Sequence, residues 1–402
     1  RSLSSAASDV YKRQFISEFE FVYDRRKVLQ GKILTPTKRI RRTPFSSKIE
    51  DQVKGVTVYN HMILPTIFKD AEEDCRHLKS EVQVWDVSVQ RQVEIVGKDA
   101  ATLLELLTPR NVKDMNPNKC LYAPMVNQNG GMINDPVLLR VDEDRYWISI
   151  ADSDVLLWVS GIAAALKLNV EVSEPSVAPL AIQGPKSRLL MKRIFGNEMD
   201  YFSYFDLRKL KFGKHTINVA RTGWSKQGGF EIYVEGTEYA NELWEELFTN
   251  GKDLNVRPGC PNQIERIESG LLSYGSDMTV QNSPFECGLG RFCEIDANST
   301  CIGSEALKNI ASNGPSKVLR YFDVKGDKVP FCHDHWPIFN NKKVGEVTSG
   351  IFSTEFNTNV AIGIVDVEYA IEGTKLQVLI DNKLRDAFVK ERPFNPKLKP
   401  FI

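Results

Sequence analysis

The chain has 402 residues, and its 52 basic and 52 acidic side chains leave no net charge at pH 7. Balanced charge removes the positive field on which nucleic-acid binding and attraction to anionic membranes depend, so we expect neither partner. A chain of this length buries enough apolar surface for two or three domains, and a small molecule becomes the favoured ligand.

The N-terminal stretch differs in composition from the rest of the chain. Residues 1–43 are polar and basic and predict a disordered tail, and about the first 14 of them resemble translated sequencing-adapter sequence. The seven cysteines are scattered and lack the spacing of a metal site, so we expect reduced thiols in a cytoplasmic protein. No apolar run approaches the roughly 20 residues of a membrane-spanning helix.

Helices and strands are mixed along residues 44–290. The hydrophobic spacing predicts a helix at 66–80, a strand at 82–97, a helix at 98–109, strands at 120–126, 132–141 and 145–151, and a helix at 153–167. A second block has predicted strands at 169–174, 178–185 and 215–236 and helices at 185–195, 237–249 and 262–278. Antiparallel strands interspersed with helices indicate an α+β fold, here with two interleaved subdomains.

The composition changes beyond about Gly290. Short strands with Gly and Asn turns follow one another there, among them "VGEVTSGIF", "VAIGIVDVEY" and "KLQVLIDN". Residues 291–402 are therefore predicted to form a separate small β-barrel domain.

Asp135, in "NGGMINDPV", is an acidic residue inside an apolar strand-like run. If 132–139 is a strand, alternation places Asp135 on the same face as Ile133 and Leu139, where its carboxylate is partly desolvated. Such a carboxylate needs hydrogen-bond donors or a cation, which is how a site recruits a polar ligand group. The alternative is structural: Asp135 caps a turn or pairs with an arginine, and Pro136 hints at a strand edge.

The segment "RTGWSKQGGFEIYVEG" at 221–236 combines a Gly-containing turn with a strand. Alternation directs Phe230 and Ile232 to one face and Glu231 and Tyr233 to the other, where these two line a shared pocket or a solvated strand face. Trp224 lies in the turn, and an aromatic residue in a turn is often exposed or faces a ligand.

Glu268 is a second acidic residue on an apolar face. In the predicted helix 262–278 it lies on the stripe that Ile264 and Ile267 form, so it faces inward as a site residue or as the partner of Arg266 or Arg221. The histidines of "CHDHW" at 332–336 could hold a metal, but without a third ligand in view a barrel turn is favoured and we expect no metal.

These segments occur in the order of the motifs of a known family. "NGGMINDPV", "RTGWSKQGGFEIYV", "RIESGLLSYGSDM" and "VGEVTSGIFSTEFNTNVAIGIV" resemble four motifs of the folate-dependent aminomethyltransferase (glycine-cleavage T-protein) family. The resemblance covers residues 44–394. It implies a three-domain arrangement of mixed antiparallel sheets with helices and a C-terminal β-barrel, and it implies tetrahydrofolate as the co-substrate.

The same resemblance implies roles for particular residues. It places the pterin ring of tetrahydrofolate against Asp135, the expected catalytic residue, and against Glu231, with Tyr233 nearby. Arg221 and Glu268 align with motif residues at the cofactor site, as direct contacts or as supports.

The chain departs from the family motifs in two places. Asn134 replaces the first residue of an Asp-Asp pair, and 225–227 read Ser-Lys-Gln where the family has Thr-Gly-Glu. Further stretches resemble family members that demethylate a sulfonium substrate, for which Tyr59 and Trp224 are the expected cation-binding aromatics and Lys226 the expected carboxylate ligand. An aminomethyltransferase, an N- or O-demethylase and a noncatalytic folate-binding protein remain alternatives. A homodimer is a further expectation.

Overall fold

The computed structural model describes residues 37–295 and 299–395. Most of the predicted N-terminal tail, with the adapter-like stretch, lies outside these residues. The α-helices in the described ranges are α1 Ser46–Ile49, α2 Ala71–Ser80, α3 Ala100–Leu107, α4 Val155–Ala165, α5 Ser187–Phe195, α6 Ala240–Asn250, α7 Gln263–Ser269 and α8 Ser304–Asn313.

The strands of the first region are β1 Gly55–Tyr59, β2 Met62–Ile67, β3 Gln83–Asp86, β4 Gln92–Val96, β5 Cys120–Tyr122, β6 Met125–Val126, β7 Met132–Asn134, β8 Val137–Asp142, β9 Arg145–Ser149, β10 Glu171–Ser173, β11 Val177–Gln183, β12 Leu207–Phe212, β13 His215–Ala220, β14 Gly229–Glu235 and β15 Arg257–Gly259. Those of the C-terminal region are β16 Lys317–Val324, β17 Trp336–Asn340, β18 Lys342–Ser353, β19 Thr358–Asp366, β20 Lys375–Ile380 and β21 Lys383–Lys390.

Two mixed layers of sheet and helix build the first region. One sheet has the strand order β10-β4-β9-β8-β5 and the other the order β12-β13-β14-β11-β3-β15. The chain enters the second sheet with β3, forms the first sheet from strands between β4 and β10, and returns to the second sheet with β11. The two halves are therefore interleaved. Helices α3 and α4 pack on the first sheet, and α5 and α6 on the second. A further apolar cluster, with Trp147 and Tyr233, is shared by both sheets.

The C-terminal region is a closed barrel with the strand order β16-β19-β18-β17-β20-β21. The predicted α+β fold with a C-terminal barrel is therefore confirmed. Helix α8 precedes the barrel, and its Leu307 packs in one cluster with Val126 and Met132 of the first region. By its packing, this helix belongs with the first region, although it lies beyond the predicted domain boundary at residue 291.

Two predicted helices are shorter than the hydrophobic spacing suggested. The helix expected at 66–80 begins at Ala71, because the Asp70 side chain accepts hydrogen bonds from the first-turn amides and caps it. Residues 66 and 67 are the end of strand β2 instead. The helix expected at 262–278 ends at Ser269. Gly270 follows with φ +70°, the left-handed conformation that terminates helices.

A buried ion pair joins α7 to the barrel. The Arg266 guanidinium donates to Asp277 Oδ2 over 2.6 Å and to Ser349 Oγ of β18 over 2.6 Å. Asp277 Oδ1 in turn accepts the hydroxyls of Thr348 and Ser349 at 2.7 and 2.6 Å. The two charged side chains are 2% and 0% exposed, so both partners depend on these contacts for their solvation.

Candidate active site

A cavity of about 1510 Å³ lies among the β1–β2 hairpin, the segment 149–152 at the end of β9, the turn 222–226 before β14, the 269–276 segment and the barrel. Five of the residues predicted from the sequence line it, namely Tyr59, Asp135, Trp224, Lys226 and Glu231. These residues come from three separate stretches of the chain. The fold thus brings the predicted folate-binding and substrate-binding positions into one space.

Asp135 faces this cavity because the predicted strand is broken. β7 ends at Asn134 and pairs with β6, whereas β8 starts at Val137 in the five-stranded sheet. The continuous strand expected along 132–139 is therefore wrong: Asp135 and Pro136 form the break between two strands, although Asp135 and Val137 both line the cavity. Asp135 Oδ2 accepts the Tyr122 hydroxyl at 2.9 Å. Burial raises the pKa of Asp135 to about 7, against the opposing effect of the Tyr122 hydrogen bond.

Asn134, one of the departures from the family motif, has a structural explanation. Its side-chain amide donates to Ala151 O and Ser153 Oγ, and its Oδ1 accepts the Ala151 amide at 3.0 Å. A carboxylate here could accept bonds but not donate them. The asparagine therefore ties the segment before Asp135 to the 151–153 loop, whose Asp152 lines the cavity.

Glu231 is another carboxylate of the cavity and is only 5% exposed. Within the described residues its Oε2 accepts the hydroxyls of Thr222 and Tyr233, and both bonds end on this one oxygen. Oε1 is thus available to a donor in the cavity. Burial raises the pKa of Glu231. Tyr233 itself is fully buried behind Glu231, beside Trp147, and lies outside the cavity lining.

The turn that carries Trp224 is packed tightly on the end of β11. A Cβ on Gly223 or Gly229 would collide with the side chain of Gln183, and Gly223 has φ +149°. Ser225 Oγ donates to Gln183 Oε1 at 2.8 Å. The glycines of the motif therefore allow the turn to close on a buried amide, which fixes where the following side chains point.

Trp224 is held on two sides. Its indole Nε1 donates to Leu272 O at 3.2 Å, and the Arg266 guanidinium carbon lies 5.8 Å from the ring centroid. The ring is half-buried and borders the cavity. An indole so anchored presents a fixed aromatic face to a ligand.

Tyr59 lies at the tip of the β1–β2 hairpin. The next residue, Asn60, pins the tip through its amide to Asp152 Oδ1 at 2.8 Å and through its side chain to Val89 O at 2.9 Å. Burial raises the pKa of the Tyr59 phenol, and the negative charges of Asp135 and Asp152 raise it further. Tyr59 is therefore a neutral aromatic group beside two carboxylates.

Lys226 supplies a cation to the same cavity. Burial lowers the pKa of its ammonium to about 8, the charge of Arg291 lowers it further, and the charge of Glu265 opposes both effects. Arg291 also lines the cavity. This part of the cavity therefore carries two basic side chains, as an anionic ligand group requires.

Three of the residues predicted to bind the cofactor lie outside the lining, namely Tyr233, Arg221 and Glu268. Arg221 donates to Phe202 O at 2.6 Å and stacks on Tyr204. Glu268 accepts Ser353 Oγ at 2.6 Å and pairs with Lys79, so neither Arg266 nor Arg221 is its partner as the sequence had suggested. Protein groups engage the Arg221 and Glu268 side chains, which favours the second of their two expected roles, support of the cofactor site, over direct folate contact.

Sequence reasoning missed Tyr122, Arg291 and Glu265. Tyr122 had a usable signal: in a hairpin across the Gly-Gly turn it falls opposite Val137, two residues after Asp135. Arg291 and Glu265 had none, since each reaches the site from a distant part of the chain.

The histidine pair does not form a ligand cluster. His335 contacts Glu346 Oε1 at 3.0 Å and Ser276 O at 3.1 Å, and Glu346 raises its pKa. The His333 ring packs edge-on against Phe331. Across residues 37–295 and 299–395, no group of three potential ligands is placed to hold a metal ion.

Of the helices that the structure describes, none combines the length and apolar character needed to cross a membrane. The cytoplasmic location and the homodimer expected from the sequence stay predictions.

Comparison with known proteins gives consistent matches over most of the chain. Residues 47–297 match the model of the GCVT N-terminal domain, and residues 317–395 match that of the glycine cleavage T-protein C-terminal barrel domain. Dimethylsulfoniopropionate demethylase DmdA of Ruegeria pomeroyi is 50% identical over 358 residues, which are 89% of this chain and 98% of that protein. An aminomethyltransferase of Caldanaerobacter subterraneus is 29% identical over 83% of this chain and 90% of its own.

A solved structure shares the fold. The crystal structure of glycine cleavage system aminomethyltransferase T from Bartonella henselae superposes with a TM-score of 0.80, covering 90% of this chain and all of that one at 20% identity. At this identity the likeness speaks for the architecture alone.

Proposed function

This chain belongs to the glycine-cleavage T-protein family, and from that premise we propose that it is a tetrahydrofolate-dependent dimethylsulfoniopropionate demethylase. The products are methylthiopropionate and 5-methyltetrahydrofolate. The observation that carries the proposal is that one cavity joins the carboxylates of Asp135 and Glu231, the rings of Tyr59 and Trp224, and the ammonium of Lys226. The demethylase relative, which matches nearly the whole chain, supports the choice of methyl donor.

The donors and acceptors of the cavity fit tetrahydrofolate. A pterin ring presents amide and amino N–H groups, and the matching protein groups are carboxylate oxygens. Glu231 has one such oxygen available towards the cavity, and Asp135 contributes a second carboxylate. We assign Glu231 and Asp135 to the pterin, with the hydroxyls of Tyr233 and Thr222 orienting Glu231.

With tetrahydrofolate bound, the chemistry available is attack of its N5 lone pair on a methyl carbon of the sulfonium, whose S–C electrons stay on a neutral thioether. The transfer leaves one proton on N5 to be lost. Asp135 has a pKa near 7, so at and above this pH its carboxylate orients the ring and accepts that proton.

The leaving thioether needs no protonation, so positioning is the main task of the protein. Holding a nucleophile in line with the methyl carbon contributes roughly 7 kcal/mol or more. We assign the sulfonium to the faces of Tyr59 and Trp224, at about 0.5–2 kcal/mol each. Charge disperses as the methyl moves, and a strong anion at the sulfur would stabilise the ground state more than the transition state. Asp135 is therefore assigned to the folate and not to the sulfur.

Lys226 is assigned to the carboxylate of the substrate. Its ammonium lines the same cavity as Trp224. A zwitterionic substrate then meets aromatic rings at its cationic end and a cation at its anionic end, which fixes its direction in the cavity.

The proposal is tested by incubating the purified protein with tetrahydrofolate and dimethylsulfoniopropionate. We expect 5-methyltetrahydrofolate and methylthiopropionate in equal amounts. Both products are measured by chromatography with mass detection. Absence of both products, together with methylenetetrahydrofolate formed from an aminomethyl donor, would instead identify an aminomethyltransferase. Failure of both donors with retained folate binding would indicate a noncatalytic family member.

Glu231→Gln is expected to weaken folate binding by about 10- to 100-fold, because a charge-assisted hydrogen bond to the pterin becomes a neutral one. The dissociation constant for 5-methyltetrahydrofolate, measured by isothermal titration calorimetry, checks this. Glu238→Gln, at an exposed position in the turn after the same strand, is the matched control and should bind as the wild type does. Equal affinities of the two variants would contradict the role of Glu231.

A further inference from the structure

Glu265 lies under the turn that carries Lys226. Its Oε1 accepts the Lys226 backbone amide at 2.9 Å, the Gln227 side-chain amide at 2.9 Å and the Ser269 hydroxyl at 3.1 Å. The residue is 1% exposed, and its Oε2 has no hydrogen-bond partner among the described residues. One buried carboxylate therefore ties helix α7 to the turn at two consecutive positions.

These contacts bear on whether Glu265 is charged. Burial raises its pKa, but all three hydrogen bonds are donated to one oxygen and favour the carboxylate over the acid. Lys79 is a nearby cation that acts in the same direction. Tyr204 and Cys75, the other titratable groups that feel this charge, are kept neutral by burial.

The charge of the Lys226 ammonium is the property most sensitive to Glu265. The ammonium is half-buried, Arg291 across the cavity repels it, and the Glu265 carboxylate counters this repulsion. With a pKa of about 8, its charge is marginal at slightly alkaline pH. A small change in the nearby charge therefore decides whether a cation is present.

We infer that Glu265 is a positioning residue, which fixes both the place and the charge of Lys226 at the carboxylate end of the cavity. This inference rests on the proposed function, since it takes Lys226 as the ligand of the substrate carboxylate. Through the backbone amide Glu265 sets where the lysine side chain starts, and through its charge it keeps the ammonium protonated.

The departure from the family motif agrees with this pairing. Where the motif quoted above has Thr-Gly-Glu, this chain has Ser225, Lys226 and Gln227. A glutamate at 227 would set a second carboxylate against Glu265, whereas the Gln227 amide donates to it. Lys226 and Gln227 are thus both compatible with a carboxylate at Glu265. With it, they provide a cation for an anionic substrate group.

The experiment compares wild type, Glu265→Gln and Glu265→Asp by calorimetry across about pH 6.5 to 9.5, with dimethylsulfoniopropionate and with trimethylsulfonium, which has no carboxylate. Glu265→Gln removes the charge, so the loss of dimethylsulfoniopropionate binding at alkaline pH should move down by about one pH unit, weakening affinity at pH 8 by about five- to tenfold. Trimethylsulfonium binding should keep its pH dependence. Glu265→Asp retains the charge, but its shorter side chain no longer reaches the Lys226 amide. It should therefore weaken dimethylsulfoniopropionate binding at all pH values without changing the pH at which binding is lost.

The outcomes separate the two proposals. A wild-type protein that makes no 5-methyltetrahydrofolate from dimethylsulfoniopropionate removes the proposed function, and this inference with it. If the wild type makes 5-methyltetrahydrofolate but Glu265→Gln loses dimethylsulfoniopropionate binding at the same alkaline pH as the wild type, the inference alone is overturned. An equal shift for trimethylsulfonium also overturns it, because a merely structural effect would not distinguish the ligands. If Glu265→Gln does not fold, a Glu265→Asp variant that binds both ligands as the wild type does is the overturning result.

Discussion

Asp135→Asn is expected to lower turnover by about 10²- to 10⁴-fold with little change in stability. Asparagine keeps the shape and can still accept the Tyr122 hydroxyl, but it carries no charge and cannot take a proton from N5. Turnover is measured as the initial rate of 5-methyltetrahydrofolate formation at saturating substrates. Asp142→Asn, which changes an exposed carboxylate at the end of β8, is the matched control and should retain the wild-type rate.

The pH dependence gives this prediction a second readout. The pKa of Asp135 is raised to about 7, so the carboxylate is the dominant form above that pH and is lost as the pH falls through it. The wild-type rate should therefore fall on the acid side with an apparent pKa near 7. The residual rate of Asp135→Asn should lack this acid limb. A variant with near wild-type turnover and an unchanged limb would remove Asp135 from the mechanism.

Asp277→Ala is expected to destabilise the protein by about 3–5 kcal/mol, because it leaves the fully buried Arg266 guanidinium without its counter-charge. The Ser349 hydroxyl loses its acceptor at the same time, and the Thr348 hydroxyl keeps only the longer bond to Ile362 O at 3.3 Å. The loss is measured as the change in free energy of unfolding from urea denaturation followed by tryptophan fluorescence.

The control for this change is an exposed ion pair. Lys192 and Asp200 are each more than a third exposed, so Asp200→Ala should cost only about 0–1 kcal/mol. Replacing both buried charges at once, as Arg266→Met with Asp277→Leu, should recover much of the stability. If Asp277→Ala were as mild as Asp200→Ala, the pair would not stabilise the contact between α7 and the barrel.

The sequence alone determined the features that depend on local periodicity, such as which side chains of a strand face the core. Along β14, Phe230 and Ile232 point to the apolar core while Glu231 and Tyr233 point to the opposite face, as the two-residue repeat of a strand requires. The sequence also marked the Gly-rich turn before this strand. These features follow from neighbouring residues, and no distant segment had to be known to predict them.

Only the tertiary structure decided which groups meet. Asp135 faces the cavity because its strand breaks and the two halves join different sheets, a choice made by the strands on either side. Glu268 finds Lys79, 189 positions away, and Glu265 supports Lys226 across 39 positions. A helical or strand repeat tells which side of an element is buried, but the partner on that side depends on how separate elements pack. For that physical reason Asp135 and Glu231 were visible in the sequence, while Glu265 and the contacts that set the charge and direction of the site residues were not.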